Sequence, residues 1–108
     1  KNAIGHFFDS KATLVVGTHT HIPTNDGRVL SGGTAYQTDA GMCGDYNSVI
    51  GMNKDNSINR FMKKKSTKHF PATGEATLCG VIVECNVKTG LAISIKKFIY
   101  GGELKNSQ

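Results

Sequence analysis

Leu14-Val15-Val16-Gly17-Thr18-His19-Thr20-His21, LVVGTHTH, is the stretch on which the fold turns. The run ATLVVG over 12–17 is rich in β-branched residues and apolar on both faces, which predicts a buried central strand. It ends at Gly17, a residue that admits a turn and a close backbone approach. The chain then passes without a spacer into a pair of histidines. In open α/β sheets ligands collect beyond the carboxyl ends of strands. His19 and His21 are two positions apart, so in extended geometry both imidazoles leave the same face. Neutral imidazole is a common ligand for zinc, iron and related ions. Thr18 and Thr20 can satisfy loop backbone groups locally.

Two imidazoles do not complete a metal site. Zinc takes four ligands, and iron or manganese takes more. The remaining candidates are Asp26, Asp39, Asp45, Glu75 and His69, and none has a spacing that forces it toward the HxH. His6, beside Phe7 and Phe8, reads as structural or exposed. On spacing alone the pair is equally a structural or merely exposed one.

Outward from this point the chain reads as short elements. Ile4, Phe7 and Phe8 have helical spacing within residues 1–9. Pro23, Asn25-Asp26-Gly27 and Gly32-Gly33 mark turns around a short strand at Arg28–Leu30. Thr34–Thr38 reads as another strand, and Asp39–Asn47 as a Gly-rich irregular loop. Ser57–Lys65 predicts a helix with Ser57 as N-cap and Ile58, Phe61 and Met62 on one face. Lys63–Lys65 would then sit in its last turn, where cations complement the helix dipole. Lys68–Ala72 is read as a strand. The clearest signal is a hairpin, Ala76–Val87 and Leu91–Tyr100, closing on Lys88-Thr89-Gly90. Period two predicts that Leu91, Ile93 and Ile95 are buried while Ser94 and Lys96 face water. The fold class is α/β (α+β), ending in an antiparallel hairpin.

Composition narrows the function classes. The chain has 108 residues, 38% of them hydrophobic, enough for one domain with a thin core. Its apolar runs are too short for a membrane span. The net charge is +5, but of the 13 basic residues only Arg28 and Arg60 are arginine. Specific nucleic-acid sites lean on Arg forks and stacked aromatics, so this charge argues against one. Cys43, Cys79 and Cys85 form no CxxC pair. Cys79 and Cys85 share one strand, where they would stand about 20 Å apart, too far for a disulfide. Reduced thiols point to the cytoplasm.

The run VVGTHTHIPTNDGRVLSGGTAYQTDAGMCGDYNSVIGM, Val15–Met52, closely resembles the C-terminal part of a bacterial calcineurin-like metallophosphoesterase family, whose members are 2′,3′-cyclic-nucleotide 2′-phosphodiesterases. The resemblance continues more loosely through Asn59-Arg60-Phe61 and the Lys-Thr-Gly turn. GTHTH followed by GTAY-x-TD-x-GM-x-G is far more specific than the HxH alone. The resemblance implies a β-sandwich flanked by helices, with two metal ions at the strand ends. His19 would ligate one ion and His21 the other, with iron or manganese as the metals and other divalent ions as substitutes. It implies a small phosphodiester substrate. Asp39 belongs to the TD-x-GM pattern, as a loop brace or as a partner of a metal-bound His.

The family's other ligands and its catalytic His precede the segment matched here, so no catalytic residue is assigned within this chain. Lys1 reads as lying inside the helix before the GTHTH strand. The expectation is a C-terminal segment of a single domain, 1–108, whose N-terminal part, or a homo-oligomer, covers its open strand edges. The segment alone is expected to be inactive. Two readings stand beside this one: a non-enzymatic β-rich module with an incidental HxH that binds polyanions through its lysines, and a metal-binding regulatory protein that lost hydrolysis.

Overall fold

The computed structural model describes residues 1–107. Helix α1 (Asn2–Phe7) leads into strand β1 (Leu14–Val16), followed by β2 (Arg28–Val29) and β3 (Ala35–Gln37). Helix α2 (Lys54–Phe61) precedes the hairpin strands β4 (Leu78–Cys85) and β5 (Ala92–Tyr100). The first three strands form a sheet of order β1-β3-β2, with β1 parallel and β2 antiparallel to β3. β4 and β5 form a separate antiparallel pair, and β5 packs back against β2 and β3. The α/β class with a terminal hairpin is as read from the sequence. No helix among the described residues is long and apolar enough to cross a membrane.

The centre of the larger sheet is β3, not β1. Thr34, Ala35, Tyr36 and Gln37 are all buried, whereas Val16 on β1 is 40% exposed. The apolar run at Leu14–Val16 signals two faces to cover, but centrality depends on partners at both edges. Among the described residues β1 has a partner only at one, β3. Helix α1 lies close over the sheet because Gly5 has no side chain. A Cβ there would stand 2.5 Å from Cδ1 of Tyr36. The Arg28 guanidinium covers the Tyr36 ring at 5.4 Å from its centroid.

The buried set is mostly hydrogen-bonding. Thr34, Gln37, Asp39, Asn56 and Thr77 are buried beside Leu30, Ala35, Tyr36 and Cys79. The molecule is also extended, 57 × 28 × 17 Å with a radius of gyration of 17.1 Å. A compact domain of this length would have about 13 Å.

Helix α2 begins earlier than its Ser57 suggested. Asn53 is the N-cap, and its side chain accepts the Asn56 N–H at 3.0 Å. Asn caps as well as Ser does, and tertiary contacts decide between them. The Asn56 amide accepts Thr67 N–H at 2.8 Å and donates to the Thr67 carbonyl at 3.2 Å, pinning the first turn. Ser57 therefore falls inside the helix, with its hydroxyl buried and unpartnered among the described residues. The helix stops at Phe61, and Lys63 turns to φ +58°, so the lysine run lies beyond the end and Arg60 occupies the last turn. Ile58, Phe61 and Met62 stand exposed at 47, 88 and 52%. Lys68–Ala72 forms no strand; a single bridge, Met52 to Pro71, holds it. Replacing Asn53 by Ala is expected to cost about 1 kcal/mol, read from the urea midpoint. A shift no larger than that of an exposed surface substitution would remove the cap from the account.

The hairpin is the longest β feature, as expected. Ser94 and Lys96 face water, and Leu91 and Ile95 are half-buried. Ile93 departs from the expected buried face, at 58% exposed. The cause is a bulge: Glu84 pairs with Ser94 but Cys85 pairs with Ala92, so Ile93 is the extra residue. From Ile95 onward the inner row is regular. Ile95, Lys97 and Ile99 face Val83, Val81 and Cys79.

Candidate metal centre

β1 ends against the backbone of the strand beside it. A Cβ on Gly17 would collide with the Thr38 carbonyl oxygen, a backbone atom that cannot give way. That close approach lets Ala40 N–H donate to the Gly17 carbonyl at 2.9 Å, which aims the next four residues out of the sheet. His19 then sits at φ +156° and His21 at φ +68°, both in the positive half that L side chains rarely adopt. Such outliers persist where the surroundings over-determine them.

Asp39 is what over-determines them. Its carboxylate is buried and accepts the Thr20 N–H at 2.6 Å, the Thr20 hydroxyl at 2.8 Å and the Gly41 N–H at 2.9 Å. The Lys1 ammonium stands 3.8 Å away and donates to the Thr18 carbonyl at 3.0 Å. Burial pushes the Asp39 carboxyl up, but the Gly41 and Thr20 bonds and the nearby Lys1 charge outweigh it and hold it below its ordinary value. Thr20, the residue between the two histidines, is thus anchored by an ionised carboxylate. Asp39 acts as the loop brace.

Asp26 plays the matching part behind it. It accepts hydroxyls from Thr38 and Thr24 and the Thr38 N–H. Burial raises its carboxyl, and those bonds outweigh that and bring it down to about 2. Asp45 caps its own loop through Asn47 and Gly74 N–H groups. Glu75, His69 and His6 are exposed. No group of three or more His, Cys, Asp or Glu side chains converges among the described residues. The chain therefore presents two imidazoles, not a closed donor set.

The decisive contact belongs to His21. Its Nδ1 lies 2.9 Å from the Ile50 carbonyl oxygen. A carbonyl only accepts, so Nδ1 carries the proton and Nε2 keeps its lone pair for a ligand. A ring fixed through its other nitrogen in this way is the usual arrangement behind a metal-binding histidine. The His19 ring is exposed and makes no hydrogen bond among the described residues, so it too offers a free nitrogen. The donor chemistry fits a metal that draws part of its ligand set from here. The Ile50 carbonyl escaped the sequence reading, since a backbone oxygen leaves no residue-type signal. Tyr36 is core; Tyr46 is half-buried, its hydroxyl between Met42 and Cys79. There burial, with the Cys79 contact, pushes the Tyr46 hydroxyl well above its ordinary range.

A mixed sheet with a braced GTHTH loop at a strand end fits the frame of a calcineurin-like phosphoesterase. The chain matches the YmdB-like protein family over residues 1–98 and belongs to that family. It is 40% identical over 99 residues to the 2′,3′-cyclic-nucleotide 2′-phosphodiesterase of Bacillus subtilis (strain 168), covering 92% of this chain and 38% of that protein. A crystal structure of a phosphatase from Mycoplasma pneumoniae superposes with a TM-score of 0.83 at 38% identity, covering 92% of this chain and 36% of that one. A protein from Thermus thermophilus superposes with a TM-score of 0.83 at 35% identity, covering 93% of this chain and 39% of that one. The chain thus spans well under half the length of each of these relatives.

Proposed function

We propose that this chain is the C-terminal portion of a metal-dependent phosphodiesterase acting on small phosphodiesters, 2′,3′-cyclic nucleotides foremost. The observation that carries this reading is the His21 ring, tied through Nδ1 to the Ile50 carbonyl with Nε2 left free. The name borne by the Bacillus subtilis relative supports the substrate class. His19 and His21 would each hold one of two ions, iron or manganese first among the candidates. Two such ions, when bound, polarise the phosphate oxygens and make a water nucleophilic at neutral pH.

What this chain does in that reaction is to hold and aim. Asp39 fixes Thr20 and so sets the angle at which the two rings leave the loop. The Ile50 carbonyl keeps the His21 proton on Nδ1. The bridging carboxylate and the His that protonates the leaving oxygen are assigned to sequence preceding Lys1, so the remainder of the polypeptide is this chain's first partner. The reduced thiols suit the cytoplasm. The test uses the full polypeptide that carries this chain. Iron and manganese are quantified, and turnover of a 2′,3′-cyclic nucleotide is followed before and after chelation. Hydrolysis should vanish with the metal and return with it. Turnover that survives complete metal removal, or none at full metal occupancy, would overturn the reading.

A further inference from the structure

A cleft opens directly beside the His21 ring. It is lined by His21, Ile22, Met42, Tyr46, Ser48 and Ile50, with a volume of about 140 Å³. Apart from the His21 Nε2 kept for the metal, its side-chain polar atoms are already engaged. The Tyr46 hydroxyl donates to the Met42 carbonyl at 2.9 Å and accepts the Met42 N–H at 2.8 Å. The Ser48 hydroxyl donates to the Asp45 carbonyl and accepts the Gly51 N–H at 2.8 Å. No lysine or arginine reaches the cleft. It is therefore built for an uncharged, flat, largely apolar group, and not for a phosphate. A cavity of about 150 Å³ with apolar walls takes up benzene, so a single six-membered ring is the occupant of matching size.

A second observation singles out the wall. Val49 and Met52 exchange N–H···O bonds of 2.9 Å in both directions, closing a two-residue turn over Ile50 and Gly51. Both turn residues have positive φ, +48° at Ile50 and +92° at Gly51. Such turns favour Asn, Asp or Gly at the first position, and a β-branched residue there is strained. The turn needs only the backbone of residue 50, and so does the bond to His21. The isoleucine side chain gains little in return by packing, since it stands 59% exposed. A strained side chain held out over a cleft beside a candidate metal ligand is placed for what enters the cleft.

We propose that this cleft is the nucleobase subsite: it receives the base of the phosphodiester substrate between Ile22, Ile50 and the Tyr46 ring. The inference rests on the phosphodiesterase reading and deepens it. The ring is recognised by shape and stacking, with neither the Tyr46 nor the Ser48 hydroxyl free to read its edge.

The test compares two substrates in the full polypeptide. One is cytidine 2′,3′-cyclic phosphate; the other is methyl β-riboside 2′,3′-cyclic phosphate, in which a methoxy group replaces the base. The readout is the ratio of their kcat/KM values. Stacking of one base predicts a ratio of roughly ten or more in the parent. Ile50→Asn keeps the carbonyl that holds His21 and suits positive φ, so its melting temperature should equal or exceed the parent's. Ile22→Ser alters the opposite wall at a position 54% exposed. Both variants should bring the ratio toward one, through KM for the cytidine substrate. A parent that prefers neither substrate, or variants that keep the parent's ratio, would overturn the subsite while leaving the phosphodiesterase reading in place. A metal-loaded parent that hydrolyses neither substrate would overturn both.

Discussion

Alanine at His19 or at His21, introduced into the full polypeptide, is expected to lower bound metal and to cut hydrolysis of a cyclic phosphodiester by about a thousandfold or more. The expectation follows from what each ring does and does not do. His19 is exposed and His21 half-buried, so neither carries the core, and the fold should survive both changes. His21→Ala leaves only the Ile50 carbonyl without its donor, at an exposed position where water can replace it. The loss should therefore appear in metal content and in turnover, and not in the melting curve. The measurement is elemental analysis beside bis-p-nitrophenyl phosphate turnover for the two variants and the parent. If both variants kept full metal and near-parent rates, the GTHTH loop would not be the metal site. The non-enzymatic module would then be the better account.

The second large effect is expected at Asp39. Its carboxylate satisfies three donors in a buried position, two from Thr20 and one from Gly41. Asp39→Ala strands the Gly41 and Thr20 N–H groups, and hydrogen bonds to a charged acceptor are worth about 1.5–3 kcal/mol each. A destabilisation of about 3 kcal/mol is expected, together with a ten- to hundredfold weaker hold on metal, roughly the cost of losing a residue that orients ligands. A pH dependence follows from the same group. The Asp39 and Asp26 carboxyls are both held below their ordinary value in the folded chain. The unfolded chain therefore takes up protons first as pH falls. Their stabilisation is complete above the ordinary carboxylate range and is lost as pH falls below about 4, for Asp26 down toward about 2. The urea midpoint of the parent should fall across that window, and that of Asp39→Ala should fall less steeply. Equal slopes would show that folding does not lower the Asp39 carboxyl below its ordinary value.

Much of this was legible in the residues. The hairpin showed itself because β-branched runs flank a Lys-Thr-Gly turn, a local signal. GTHTH was legible as a strand running into a loop, and Gly17 as a point of close backbone approach. What stayed hidden was non-local. Whether β1 or β3 lies at the centre depends on which strands pair, and the apolar run at Leu14–Val16 beside the mixed one at Thr34–Thr38 pointed to the wrong strand. The bulge at Ile93 is a property of two strands in register, not of one. The start of α2 was a contest between Asn53 and Ser57 that the Asn56–Thr67 contact decides. At the site, Asp39 stood out within its motif, but the partner of His21 is a main-chain oxygen on a turn that breaks the usual residue preference.

A buried set in which Thr34, Gln37, Asp39, Asn56 and Thr77 outnumber Leu30, Ala35, Tyr36 and Cys79 has a calorimetric consequence. Exposing apolar surface on unfolding raises the heat capacity, and exposing polar surface lowers it. Here the polar share of the buried set is large, so the increment per residue is expected to fall short of the usual figure of about 12–15 cal/mol/K, as scanning calorimetry would read it. The stability curve of this part of the molecule is correspondingly flat. Warming or cooling by tens of degrees changes the strength of the bracing around GTHTH little, because that bracing depends on the geometry of carboxylates and hydroxyls more than on the ordering of water around oil.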